Sequence, residues 1–155
     1  MSFVISGIPT QDFTHLFGCT DAELEKHGVI RKIATTKPGY PCRVTLDDAE
    51  PGEPVLLLNY ESHKVENPYR STYAIYVREG QNAPKTYKDE LPPVFKGRPI
   101  ALRIFDKDGM LIGADLDVAG DLTAKIEKAF EDPKADYIHA HNAMHGCFAA
   151  EIRRD

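Results

Sequence analysis

The chain has 155 residues, of which 42% are hydrophobic and 28% are charged, a balance typical of one globular domain. Asp and Glu (24) outnumber Lys and Arg (19), and the net charge of −5 argues against a protein that neutralises nucleic-acid phosphates. Three cysteines are too few, and odd in number, for a disulfide scaffold. From these counts we expect neither a nucleic-acid partner nor a secreted domain held together by disulfides.

Nothing in the sequence indicates export or membrane insertion. The N-terminus lacks the basic and apolar regions of a signal peptide. The longest aliphatic run, residues 55–58, is far too short to cross a bilayer. We therefore expect a cytoplasmic protein with reduced thiols and no membrane partner.

Short apolar runs, several of them alternating, predict eight or so strands joined mostly by short turns. The expected strand segments are 3–8, 29–35, 43–46, 55–60, 73–78, 100–105, 110–117, 135–142 and 147–153. Residues 80–97 hold three prolines and no clear periodicity, which predicts a long surface loop.

Helical signals are fewer. Thr20 and Glu23 form a capping-box pattern ahead of a short helix, and a weaker turn precedes them. Asp121 stands before the best amphipathic segment and is expected to cap it. The chain is therefore predicted to form a single α+β domain over residues 1–155, with a largely antiparallel sheet and two or three short helices.

The densest chemistry lies in residues 139–147, which hold three of the six histidines and one of the three cysteines. His139 and His141 are two positions apart on a predicted strand, so their side chains share one face. Whether Cys147 joins that face depends on the register of the hairpin.

Two registers are plausible. A four-residue loop would pair Asn142 with Cys147, which places Phe148 on the histidine face and removes Cys147 from it. A three-residue loop would pair Ala143 with Cys147 and use Gly146 in the left-handed conformation. In that second register one face carries His139, His141, Cys147, Ala149 and Glu151. We favour it because it separates polar from apolar side chains better.

Histidine, cysteine and glutamate on one sheet face are ligands for zinc or another divalent transition metal, and they also suit thiol chemistry. The metal candidates are His139, His141 and Cys147. The catalytic candidates are Cys147, His139, His141 and Cys42. No CxxC or HExxH pattern supports either chemistry, and a structural role explains the same residues.

Other polar side chains sit in or after rigid loops. The candidate ligand-binding residues are Arg43, Tyr60, Glu61, Arg70 and Asn142. Arg43 follows Cys42 in a turn that contains two prolines, and Arg70 lies in a polar loop after the apolar strand. Together with Arg78, these arginines would hold a carboxylate or phosphate by bidentate hydrogen bonds. A small anionic ligand is therefore expected.

Six short motifs are spread over most of the chain: KPGYPCR at 37–43, EPGE and LLLNYE within 50–61, PYR at 68–70, VRE at 77–79 and HxHNAxxGC at 139–147. In combination they resemble a bacterial family known only as domain of unknown function 1203. Where this chain has Tyr73 and Ala74, the family usually has Gly-Pro. The family has no established activity, so the resemblance implies a bacterial source and the domain boundaries but no mechanism.

Two functional hypotheses follow. The first is a small-molecule or metal-binding site, enzymatic or not, on the C-terminal hairpin. The second is a non-enzymatic interaction module that uses a sheet edge or the 80–97 loop, with a homodimer as one outcome.

Overall fold

The computed structural model describes residues 1–80 and 83–155. Strands dominate these residues, with two α-helices and short 3-10 turns between them. The strands are β1 (Phe3–Ser6), β2 (Ile30–Ile33), β3 (Pro54–His63), β4 (Ser71–Arg78), β5 (Thr86–Lys88), β6 (Ile100–Phe105), β7 (Leu111–Asp117), β8 (Tyr137–Asn142) and β9 (Phe148–Arg154). The helices are α1 (Asp21–Lys26) and α2 (Leu122–Ala129). The predicted α+β class is confirmed.

The strands form two sheets. The larger has six strands in the order β5-β1-β9-β8-β6-β7, and the smaller has three in the order β2-β3-β4. All pairings between these strands are antiparallel, as predicted. Strands β8 and β9 therefore lie in the middle of the large sheet, and the C-terminal hairpin is central to the fold.

One face of the large sheet is covered by α2. The helix places Leu122 and Ile126 on one side, followed by Phe130, and these buried residues pack with Ile138 and Ala140 of β8. This apolar stripe repeats every three to four residues, as a helix lying on a sheet requires. Because this stripe is buried against β8, the sheet face that carries Ile138 is the face covered by the helix.

The opposite face of the large sheet meets the small sheet. Phe148 of β9 lies in one buried cluster with Leu58 of β3 and Ile75 of β4. Farther along, the ring of His63 on β3 lies 5.1 Å from the ring of His139 on β8. The histidine face of the C-terminal hairpin thus lies between the two sheets.

The strand predicted at residues 43–46 is wrong. This segment forms buried turns, and Leu46 has a positive φ of 54° that a strand does not allow. Its backbone bonds go to several elements: Arg43 N–H donates to the Tyr76 carbonyl, and the Val44 carbonyl accepts from Lys85. At Gly7 a side-chain Cβ would lie 1.9 Å from the Val44 carbonyl oxygen, so only glycine allows this close approach.

The long loop predicted at 80–97 is wrong in part. It contains β5 and a 3-10 turn over Pro93–Phe95, while residues 81 and 82 lie outside the described residues. Strand β5 is only three residues long and depends on pairing with β1, so it has no local periodicity to detect. On the edge strand β2, Ile30 and Ile33 are exposed, although half-burial was expected.

The helix starts were predicted with mixed success. Thr20 and Glu23 form the expected capping box at α1. Asp121 occupies the N-cap position of α2, but its side chain makes no capping hydrogen bond. The Asp117 carboxylate instead accepts the backbone N–H groups of Ala119, Gly120 and Asp121. Among the described residues, no helix is long and apolar enough to span a bilayer.

Ile138→Ala tests whether the helix-covered face is the main core. Ile138 is 0% exposed, so we expect the free energy of unfolding to fall by about 2–5 kcal/mol. Ile112→Ala on the edge strand β7 is the matched control, because Ile112 is 38% exposed and its truncation should cost roughly 0.5 kcal/mol or less. Urea unfolding measures both, and equal losses would contradict this description of the core.

Candidate functional site

The C-terminal hairpin contains both registers that the sequence allows. Away from the turn, His139 pairs with Glu151 and Ala140 with Ala150, as the favoured three-residue loop requires. A β-bulge then shifts the register, and His141 pairs with Phe148. The bulge makes Ala149 the extra residue on β9.

At the turn itself the other register holds. Asn142 N–H donates to the Cys147 carbonyl at 2.9 Å, and Gly146 N–H donates to the Asn142 carbonyl at 2.7 Å. Cys147 therefore lies opposite Asn142, off the histidine face, and the prediction that it joins His141 is wrong. One extra residue moves every side chain beyond it to the opposite face of the sheet, because side chains alternate along a strand. Gly146 does take the expected positive φ, 81°.

The two strand histidines lie in a buried, aromatic layer. His139 is buried with its ring 5.0 Å from the Phe148 ring, and its Nε2 lies 3.4 Å from Glu151 Oε2. Burial lowers the pKa of His139, and this outweighs the opposing effect of Glu151. A neutral imidazole that donates to an ionised carboxylate fits this arrangement.

His141 and His63 are held as fixed tautomers. His141 Nδ1 donates to the Gly146 carbonyl at 2.9 Å, and burial lowers its pKa to about 4. His63 Nδ1 donates to the Tyr69 carbonyl, and its Nε2 shares a hydrogen bond of 2.6 Å with the Tyr137 hydroxyl. These hydrogen bonds give the buried histidines structural partners.

The predicted metal site is not formed. No group of three or more His, Cys, Asp or Glu side chains in the described part of the chain is arranged to hold a metal ion. Cys147 is turned away from His139 and His141 by the bulge, so the three predicted ligands do not converge. The geometry of these three residues therefore gives no support to a bound zinc ion.

Arg43 is unusual for a charged side chain because it is almost completely buried. It is only 3% exposed, and its Nε donates to the Phe148 carbonyl at 2.7 Å. Its Nη1 donates to the Pro41 carbonyl at 2.7 Å, and its Nη2 donates to Cys147 Sγ at 3.0 Å. No carboxylate in residues 1–80 and 83–155 lies within ion-pair distance of it. Burial accordingly lowers the pKa of Arg43.

Arg43 and Cys147 line a cleft of about 630 Å³. The remaining lining residues come from the 38–41 turn, β3, β4, the segment before β6 and the hairpin turn: Pro38, Gly39, Pro41, Leu57, Tyr73, Ala74, Ile75, Tyr76, Gly97, Arg98, Asn142 and His145. No aspartate or glutamate of the described chain is among them. Asn142 Nδ2 lies 3.7 Å from Cys147 Sγ and donates to it.

Arg98 differs from Arg43 because its charge is matched. Its two terminal nitrogens donate to the buried Asp48 carboxylate at 2.7 and 3.0 Å. Asp48 also accepts Gly39 N–H at 3.3 Å, which ties the 38–48 segment to the segment before β6. The cleft therefore has one guanidinium with a carboxylate and one without.

The other predicted residues lie elsewhere. Cys42 is fully buried, and its sulfur accepts the backbone N–H groups of Thr45 and Arg78. Tyr60 and Glu61 line a separate groove of about 470 Å³, and burial raises the pKa of Tyr60.

The three arginines do not gather around one ligand. Arg70 pairs with Glu61 at 3.2 Å, while Arg78 donates to both oxygens of Glu53 at 2.6 and 2.7 Å. Two members of the predicted arginine cluster thus already hold carboxylates, and neither lines the cleft beside Arg43. Of the predicted site residues, the cleft brings together Arg43, Asn142 and Cys147.

Sequence reasoning missed several cleft residues. Arg98 lies in a Pro- and Gly-rich segment whose local pattern gives no functional signal. Tyr73 and Tyr76 were treated only as strand residues, and nothing in their spacing indicates a pocket wall. His145 is an exposed residue of the hairpin turn and lies at the cleft rim.

The depressed pKa of His141 predicts a pH-dependent stability. The unfolded chain takes up this proton near its ordinary pKa of 6.5, whereas the folded chain resists it down to about 4. The contribution of His141 to the free energy of unfolding is thus fully present above about pH 6.5 and is lost as the pH drops towards 4. We expect His141→Asn, which preserves a donor to Gly146, to remove about 2–3 kcal/mol of this loss between about pH 7.5 and 4.5.

Urea unfolding at the two pH values measures this difference. His145→Asn, in the exposed turn, is the matched control and should follow the wild-type pH dependence. Identical pH dependence of wild type and His141→Asn would contradict the neutral, buried state of His141.

Comparison with known proteins leaves the site without an assigned role. No curated protein and no solved structure matches the chain. The family model described as "Protein of unknown function (DUF1203)" matches residues 39–154, which include Arg43, the whole C-terminal hairpin and every cleft residue except Pro38. The chain therefore belongs to the DUF1203 family.

Proposed function

We propose that the cleft beside Arg43 binds a small organic anion, a carboxylate or phosphate with an apolar body. The observation that carries this proposal is the Arg43 guanidinium, buried at the cleft without a carboxylate partner among the residues that the structure describes. Buried charges in proteins are normally paired, because an unpaired ion loses its hydration without compensation.

The hydrogen bonds of Arg43 leave room for a ligand. A guanidinium has five N–H donors, and three have acceptors in the Phe148 and Pro41 carbonyls and Cys147 Sγ. The other two have no acceptor among residues 1–80 and 83–155. Carboxylates and phosphates accept the paired N–H groups of arginine in one plane, so an anion suits this position.

The surrounding charge favours an anion as well. The whole chain carries a net charge of −5, yet the described residues that line the cleft include two arginines, a histidine and no acidic side chain. Asp48 balances Arg98 but lies outside the lining. A cleft lined by one sign of charge raises the local concentration of ligands of the opposite sign.

The walls of the cleft suit an apolar ligand body. Leu57, Ile75, Tyr73 and Tyr76 supply aliphatic and aromatic surface, and Asn142 adds a polar side chain. The volume of about 630 Å³ lies within the range of about 300–1,000 Å³ that is common for small-molecule sites. A substituted benzoate is a simple probe with both features.

The catalytic and partner predictions have unequal support. Among the four catalytic candidates only Cys147 lines the cleft, so any thiol chemistry would take place there. A cytoplasmic location, a bacterial source and a homodimer stay predictions from the sequence. The alternative of an interaction module is best tested at the edge strand β7, where Ile112 and Leu116 are exposed.

Titration calorimetry with benzoate and with inorganic phosphate tests the proposal. We expect saturable binding to the wild type and a loss of affinity of about tenfold or more in Arg43→Gln, because charged hydrogen bonds contribute about 1.5–3 kcal/mol. Arg70→Gln is the matched control, since Arg70 is exposed and paired with Glu61, and it should bind as the wild type does.

A second variant covers a failure of Arg43→Gln to fold. Ala74 is exposed at the cleft, so Ala74→Trp should fill the cleft and abolish binding without disturbing the core. Thr72→Trp, two positions earlier on β4 and outside the lining, should bind normally. The proposal fails if neither anion binds the wild type, or if Ala74→Trp binds as tightly as Thr72→Trp.

A further inference from the structure

We infer that Cys147 is an oxidation site, at which peroxide converts the thiol to an acid held by Arg43, and that this closes the cleft to its ligand. The closure rests on the proposed function. The choice of Cys147 over the other two thiols rests on its surroundings alone.

The three free thiols of the chain have different environments. Cys42 is 0% exposed and accepts only backbone N–H groups. Cys19 is partly exposed, and its sulfur donates to the His15 carbonyl at 3.4 Å. Cys147 is partly exposed, lines the cleft and accepts a hydrogen bond from the Arg43 guanidinium at 3.0 Å.

The contact with Arg43 favours reaction at this sulfur. Thiolates, and not thiols, attack peroxides, and a cationic donor stabilises negative charge on the sulfur that it contacts. Asn142 Nδ2 provides a second donor on the same sulfur at 3.7 Å. The sulfur of Cys19 donates to a carbonyl, which gives it no such stabilisation.

The chemistry needs only hydrogen peroxide as the oxidant. The sulfur attacks one peroxide oxygen, the O–O bond breaks, and an S–O bond forms to give a sulfenic acid. The second oxygen leaves as hydroxide and takes up the thiol proton to form water. Sulfur loses two electrons and peroxide gains them. A second peroxide repeats the step and gives the sulfinic acid, which is ionised at neutral pH.

The product is itself the kind of anion that the cleft is proposed to bind. A sulfinate on Cys147 places charged oxygens beside the two Arg43 N–H groups that have no acceptor in the described chain. The amide of Asn142 lies on the same side and donates as well. Oxidation would therefore supply the missing counter-ion covalently and exclude a free carboxylate or phosphate.

Intact-mass measurement with peptide mapping after graded hydrogen peroxide treatment tests the site. We expect Cys147 to gain oxygen at least about tenfold faster than Cys19, and Cys42 to stay reduced in the folded protein. Cys147→Ser should abolish the fast oxygen uptake, whereas Cys19→Ser, the matched control, should keep it.

Dimedone should trap the sulfenic acid on Cys147. Arg43→Lys should slow the reaction because it loses the guanidinium fork. The comparison of Cys147 with Cys19 within the wild type does not depend on whether this variant folds.

Benzoate titration of the oxidised wild type tests the closure. Oxidised wild type should lose benzoate binding, whereas peroxide treatment of Cys147→Ser should leave the benzoate affinity of that variant at its own untreated value. Equal oxidation of Cys19 and Cys147 would overturn the inference, as would unchanged benzoate binding after Cys147 is oxidised. If the untreated protein binds neither benzoate nor phosphate, the proposed function and the closure both fail, while selective oxidation of Cys147 would still support the oxidation site.

Discussion

The buried guanidinium of Arg43 is the interaction on which the site depends. It joins residues 105 positions apart, because its Nε donates to the Phe148 carbonyl at 2.7 Å. Its Nη1 closes the turn at Pro41, and its Nη2 reaches Cys147. One side chain thus fastens the irregular 41–46 segment to the C-terminal hairpin and leaves a cation beside the cleft. Keeping that charge out of water is costly, and the carbonyl oxygens around it provide only partial compensation.

The bulge at Ala149 decides what the hairpin presents on each side. Before the bulge, His139 and Glu151 share a face directed towards the small sheet. After it, Phe148 pairs with His141 in the place that an unbroken ladder would give to Ala149, and the Cys147 sulfur turns towards Arg43. His139 and His141 are therefore neutral, hydrogen-bonded core residues. The residues of the proposed anion site, Arg43 and Cys147, lie at the cleft instead.

The sequence predicts those parts of the fold that depend on near neighbours. The capping box at Thr20, the β6–β7 hairpin and the apolar stripe of α2 each arise from residues within a few positions of one another. Strand β5 and the buried 43–46 turns depend on partners far away in the chain, so no local pattern reveals them.

The candidate site shows the same division. The pattern of polar and apolar residues allows either hairpin register, and it cannot show that a bulge combines both. Arg43 and Cys147 were candidates for separate reasons, but their contact crosses more than a hundred residues. Arg98 gave no signal, because its relation to Asp48 and to the cleft exists only in three dimensions.

A crystal structure of the protein with bromobenzoate, located by the anomalous scattering of bromine, would show directly whether Arg43 holds a carboxylate in the cleft. We expect one bound molecule there, with its carboxylate within hydrogen-bond distance of the Arg43 Nη atoms and its ring against Tyr73 or Tyr76. An empty cleft at saturating ligand, or a carboxylate bound away from Arg43, would contradict it.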